Sequence, residues 1–163
     1  MNKQAVTRLA WAFVLSYATA GIGGALTELG PWYFALRHPV WKPPDAAFGV
    51  IWTTLFTLGA ISGWLAWQAA DTAALRRRVA ALFAVNALLN ILWSALYFKL
   101  QRPDWAMFEV VFLWLSIVAL IVGLWRLSRW ASGLLVGYAV WVGIAAVLNW
   151  QTVQLNGPFA GLG

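Results

Sequence analysis

Charged residues divide this chain into five apolar runs. The first lies between Arg8 and Glu28, the second between Asp45 and Asp71, and the third between Arg78 and Lys99. The fourth extends from Trp105 to Trp125 with Glu109 near its start, and the fifth begins after Arg129 and stays uncharged to the end. Each is close to the ~20 residues that a helix needs to cross a bilayer. Alternation with a period of two is absent, which argues against the strands of a membrane barrel. The pattern predicts one domain over 1–163, an all-α bundle of five transmembrane helices near 6–27, 45–69, 79–99, 104–126 and 130–155. The first run reads as a span and not as a cleaved leader, because no small-residue site separates it from a polar start.

The connector at 28–44 breaks this pattern. Its second part, Pro31 to Pro44, holds four prolines and the aromatics Trp32, Tyr33, Phe34 and Trp41. Prolines remove donors and restrict the residue before them, so a regular helix is not expected here. Large amphipathic rings belong at an interface or folded over a cavity. The segment therefore reads as a lid, with Trp32, Pro39, Trp41, Pro43 and Pro44 as its stiff members.

Composition narrows the class. Of 163 residues, 63% are hydrophobic and 10% charged, more apolar surface than a soluble chain of this size hides. The absence of cysteine excludes disulfides and thiolate chemistry, and His38 as the sole histidine excludes a multi-histidine metal site. The net charge of +6 sits in short breaks between the runs. That placement suits anionic lipid headgroups and not nucleic acid. Seven basic residues (Lys3, Arg8, Arg76, Arg77, Arg78, Arg126, Arg129) fall on one side and four (Arg37, Lys42, Lys99, Arg102) on the other. The bias predicts the N-terminus inside, with the first loop and the C-terminus outside.

Helical spacing groups the remaining candidates into stripes aimed at a shared interior. These are Phe48, Trp52, Phe56 and Gly59 on the second helix, and Asn86, Asn90 and Trp93 on the third. The fifth carries Tyr138, Trp141, Ala145, Leu148 and Asn149, and the first carries Tyr17, Gly21 and Gly24. Carboxamides in hydrocarbon either tie helices together or donate to a bound molecule. Trp52, Trp93 and Trp141 lie within spans, where flat indoles can stack on a flat ligand or simply pack. Trp11, Trp67, Trp105, Trp125, Trp130 and Trp150 read as interfacial belt. Glu109 reads as an interfacial acid near Arg102 that reaches the headgroups, and His38 as a solvated loop side chain. Ala80, Ala84 and Ala87 offer a small-residue face for dimerisation or for internal packing. No Ser-His-Asp set, carboxylate pair or phosphate-binding loop can be assembled.

Three blocks of residues resemble the translocator protein family, also called the tryptophan-rich sensory protein or peripheral-type benzodiazepine receptor family. The first is Trp32, Tyr33, Leu36, Pro39, Trp41, Pro43, Pro44, Phe48 and Trp52. The second is Leu89, Asn90, Trp93, Ser94, Phe98, Pro103, Ala106, Glu109 and Trp114, and the third is Tyr138, Trp141, Ala145, Leu148 and Asn149. The resemblance implies a five-helix bundle, commonly a homodimer, whose first loop closes a pocket for porphyrin and haem-like tetrapyrroles. It implies Tyr33, Trp52, Asn86, Asn90, Trp93, Trp141, Ala145 and Leu148 as pocket positions, to which the stripes add Phe48 and Tyr138. The tetrapyrrole is then a ligand, protoporphyrin or haem, and no cofactor is required. Animal members also bind cholesterol and synthetic drugs. Some bacterial members are reported to degrade protoporphyrin in light through two tryptophans that correspond to Trp52 and Trp141. The chain departs from the family at Gly137-Tyr138, where Pro-Tyr is common. It also lacks the Tyr and the following basic residue of the cholesterol pattern near 148–154. Sensing or carriage of a tetrapyrrole leads, with light-dependent degradation and lipid or sterol translocation as alternatives.

Overall fold

The computed structural model describes residues 3–159. Five helices in it are long and apolar enough to cross a membrane. They are α1 (Lys3–Leu26), α3 (Asp45–Ala69), α4 (Ala73–Ser94) with the π-helical turn Ala95–Lys99 that continues it, α5 (Pro103–Trp125), and the pair α6 (Arg129–Leu134) and α7 (Val136–Asn156). A short helix, α2 (Pro31–Ala35), lies in the first connector. The protein is a multi-pass integral membrane protein.

Local chemistry explains the boundaries. α4 starts at Ala73 and not near 79, because the Thr72 hydroxyl caps it by accepting from the Leu75 amide at 3.2 Å. Arg76, Arg77 and Arg78 thus belong to its first turns, since a capped helix does not need apolar residues to begin. Ser128 caps α6 in the same way through the Ala131 amide. The connector holds a helical turn that its prolines led us not to expect. Pro31 sits at its first position, where the lost donor has no intrahelical partner anyway. Past the π-helical turn the chain reverses at Gln101, whose φ of 53° is left-handed.

α1 packs on α3 and α4, α5 packs on α4 and α7, and α6 joins α5 to α3. α5 is the most enclosed span and carries the core through Val110, Leu113, Ile117, Leu120 and Leu124. α1 and α4 meet near the lid, where a β-carbon on Gly23 would stand 3.5 Å from Ser94 Oγ. Backbones approach there because glycine leaves room. The Tyr17, Gly21 and Gly24 stripe was expected to face the interior, but all three are exposed. It is Gly23 that turns inward, and this fixes the rotation of α1.

Candidate functional site: a lateral cavity below an aromatic plug

The lid is pinned at both ends. The Tyr33 hydroxyl donates to Asp45 Oδ1 at 2.7 Å, and Lys42 pairs with the same carboxylate. The Arg37 amide donates to Asn156 Oδ1, and Asn156 Nδ2 donates back to the Arg37 carbonyl, each at 2.8 Å. Trp41 is exposed, and its indole donates to Gln151 Oε1 at 2.7 Å. Pro39 is buried, Pro43 is half-buried, and Pro44 precedes the first turn of α3. Beneath the lid, Trp32 meets Tyr97 edge-on at 6.3 Å, Tyr97 stacks on Trp93 at 5.0 Å, and Phe98 touches Tyr33, Trp93 and Tyr97. These rings form a plug.

Burial, and then the bond to Asp45, hold the Tyr33 phenol well above its ordinary range. His38 was expected in solvent. It is half-buried instead, 5.0 Å from the Tyr33 ring, with Nε2 buried and unpartnered. Burial first, and the neighbouring Lys42 second, push its pKa below 6.5.

Below the plug lies a polar layer. Asn90 Nδ2 donates to the Tyr138 hydroxyl at 2.9 Å, that hydroxyl donates to Asn86 Oδ1 at 3.4 Å, and Asn86 Nδ2 donates to Ser116 Oγ at 2.8 Å. Asn149 is a tie between helices: its carboxamide, suitably oriented, donates to the Pro103 carbonyl and accepts from the Met107 amide, both at 3.1 Å. Glu109 does not reach the headgroups. It is 6% exposed, with both carboxylate oxygens unpartnered. Trp105 and Phe108 take the outward face of α5, and Arg102 pairs with Asp104 and lies over Trp105.

A cavity of about 640 Å³ opens below this layer. Trp52, Asn86 and Tyr138 line it at the lid side, with the Trp52 ring 5.7 Å from Phe56 and edge-on to Tyr138 at 6.2 Å. Its wall continues along α3 through Gly59, Gly63, Trp64 and Trp67. α4 adds Ala80, Phe83, Ala84 and Ala87, and α1 adds Arg8, Trp11, Leu15, Ser16 and Thr19. Trp11, Leu15, Ala80 and Ala84 are exposed as well as lining, so the mouth is lateral, between α1 and α4. Trp11 and Trp67, expected in the interfacial belt, belong to this wall. No lid residue lines it.

The predicted site residues therefore divide. Trp52, Asn86 and Tyr138 share the cavity. Tyr33 and Trp93 belong to the plug, and Asn90 links the two levels through Tyr138. Phe48 packs edge-on against Trp141 at 5.7 Å, and Trp141 borders a shallow groove between α3 and α7. Ala145 and Leu148 are half-buried farther along α7. The indole N–H groups of Trp93 and Trp141 are buried and unpartnered. One signal for the missed wall was present. Trp52, Phe56, Gly59, Gly63 and Trp67 keep one helical face at spacings of three and four, so the second-helix stripe continues to the far end.

Residues 10–155 match the profile of the TspO/MBR family. The chain belongs to this family. TspO/MBR relatives include Protein CrtK of Rhodobacter capsulatus, 37% identical over 88% of this chain and 90% of its own length. The tryptophan-rich protein TspO of Chlorobaculum tepidum is 37% identical over 96% of this chain and 99% of its own. The human translocator protein is 26% identical over 80% of this chain and 78% of its own.

Proposed function

We propose that this TspO/MBR protein binds a tetrapyrrole, protoporphyrin or haem, in the lateral cavity and thereby senses or carries it. The observation that carries the reading is the cavity itself. Its 640 Å³ lies within the range of small-molecule sites, and its wall holds four indoles, Trp11, Trp52, Trp64 and Trp67. A flat apolar ring system matches those faces, and Asn86 and Tyr138 offer polar groups at one end. The basic-residue bias supports an inside location for the Arg8 end. A homodimer is part of the same proposal, with Ala80, Ala84 and Ala87, which also line the cavity, as its candidate face.

The light-dependent degradation reading needs Trp52 and Trp141 beside one ligand. Trp52 lines the cavity while Trp141 faces Phe48 and the α3–α7 groove, so binding is the better-supported reading. Gly59 provides the test, because a side chain added there meets open space. Gly59→Phe fills the cavity and weakens quenching of tryptophan fluorescence by protoporphyrin by about two orders of magnitude, the contact energy of a large ring. Wild-type affinity in that variant would remove this cavity as the site.

A further inference from the structure

We infer that Arg8 is the carboxylate-reading residue of this cavity, selecting planar apolar ligands that carry an acid group and directing that group to the Arg8 end. The inference rests on the cavity reading proposed above. Arg8 is the one charged side chain in a wall that is otherwise almost wholly apolar. Its Nη1 donates to Gln68 Oε1 at 2.8 Å, which fixes one edge of the guanidinium. The ion pairs found among the described residues are Lys42 with Asp45, Lys99 with Glu28, and Arg102 with Asp104, so Arg8 has no carboxylate partner there. A guanidinium has five donors, and one contact to Gln68 leaves most of them for an anion. Beside it, Trp67 and Trp11 supply stacking faces, and Trp67 is held by Arg76 at 5.9 Å from its ring. A partly desolvated guanidinium favours a planar carboxylate held by paired hydrogen bonds.

The test compares protoporphyrin IX with its uncharged dimethyl ester, read by tryptophan quenching in phosphatidylcholine nanodiscs. Wild-type protein should bind the free acid roughly tenfold more tightly than the ester, the usual worth of a charged hydrogen-bonded pair. Arg8→Gln should bind both at the ester's affinity, and Arg8→Lys should keep part of the preference. An unchanged acid-to-ester ratio in Arg8→Gln overturns the inference while leaving the cavity reading intact. Failure of the wild type to bind either compound removes both. A phospholipid headgroup offers Arg8 similar anionic chemistry, so the titration is repeated in phosphatidylglycerol nanodiscs. A persistent preference supports the ligand's own carboxylate, and its collapse assigns Arg8 to lipid and contradicts the inference.

Discussion

The two ends of this bundle spend their aromatic and polar residues in opposite ways. At the lid end, Tyr33, Trp41 and Asn156 each have a hydrogen-bond partner, and the rings of Trp32, Trp93, Tyr97 and Phe98 touch one another. At the Arg8 end, Trp11, Trp64 and Trp67 line a cavity, and Arg8 keeps most of its donors free. The difference teaches that residue type alone does not mark a binding wall in a membrane protein. Satisfied groups lock helices, and the same groups with room before them receive a ligand.

The largest effect expected from breaking the comparison, after the cavity-filling change at Gly59, is on stability. Asn149→Leu removes the side-chain tie between α7 and the first turn of α5, and should cost about 0.5–1.5 kcal/mol in thermal or denaturant unfolding. Protoporphyrin affinity should stay within about twofold, because Asn149 is not a wall residue. Next, Asn156→Ala removes both bonds to the Arg37 backbone. Hydrogen exchange across the lid should then accelerate by about tenfold, again without weakening the ligand.

A smaller effect depends on pH. The folded lid disfavours the imidazolium of His38, so the unfolded chain takes up the proton more readily. Lid stability is therefore full above the ordinary histidine pKa of 6.5 and declines as the pH drops below it. Protection factors of the lid amides, corrected for the intrinsic slowing of exchange as pH falls, should drop between about pH 7 and about pH 5, and His38→Gln should flatten that profile. An equally steep profile in the variant would assign the effect to another group. Smallest of all is Glu109→Gln. With no partner to lose, and with an unpaired buried charge costly, the variant should unfold no earlier than the wild type in a thermal scan.

Five spans were legible because length and apolarity are written residue by residue, and because the family's aromatic blocks fall in order along them. The depth at which a polar residue sits was less legible. Glu109 lies early in α5, yet it falls three and four residues from the buried Ala106 and Leu113, and that shared face turns it inward. The rotation of α1 was hidden as well, since Gly21, Gly23 and Gly24 are equivalent until one of them meets Ser94. The cavity is lined by α1 and α4 on the Arg8 side of that contact, and no local pattern records where two helices leave space between them. The lid's turn at Pro31–Ala35 was missed because proline prevents helix in the interior but suits its first position.

The central claim, that the ligand occupies the Arg8-side cavity and not the space beneath the lid, has a direct test in a chain that lacks cysteine. Single-cysteine variants Ala84→Cys, at the cavity mouth, and Trp41→Cys, in the lid, are labelled with a maleimide with and without protoporphyrin. Protection of position 84 with unchanged labelling at 41 is the predicted result. Protection at 41 alone would place the ligand under the lid and contradict the account.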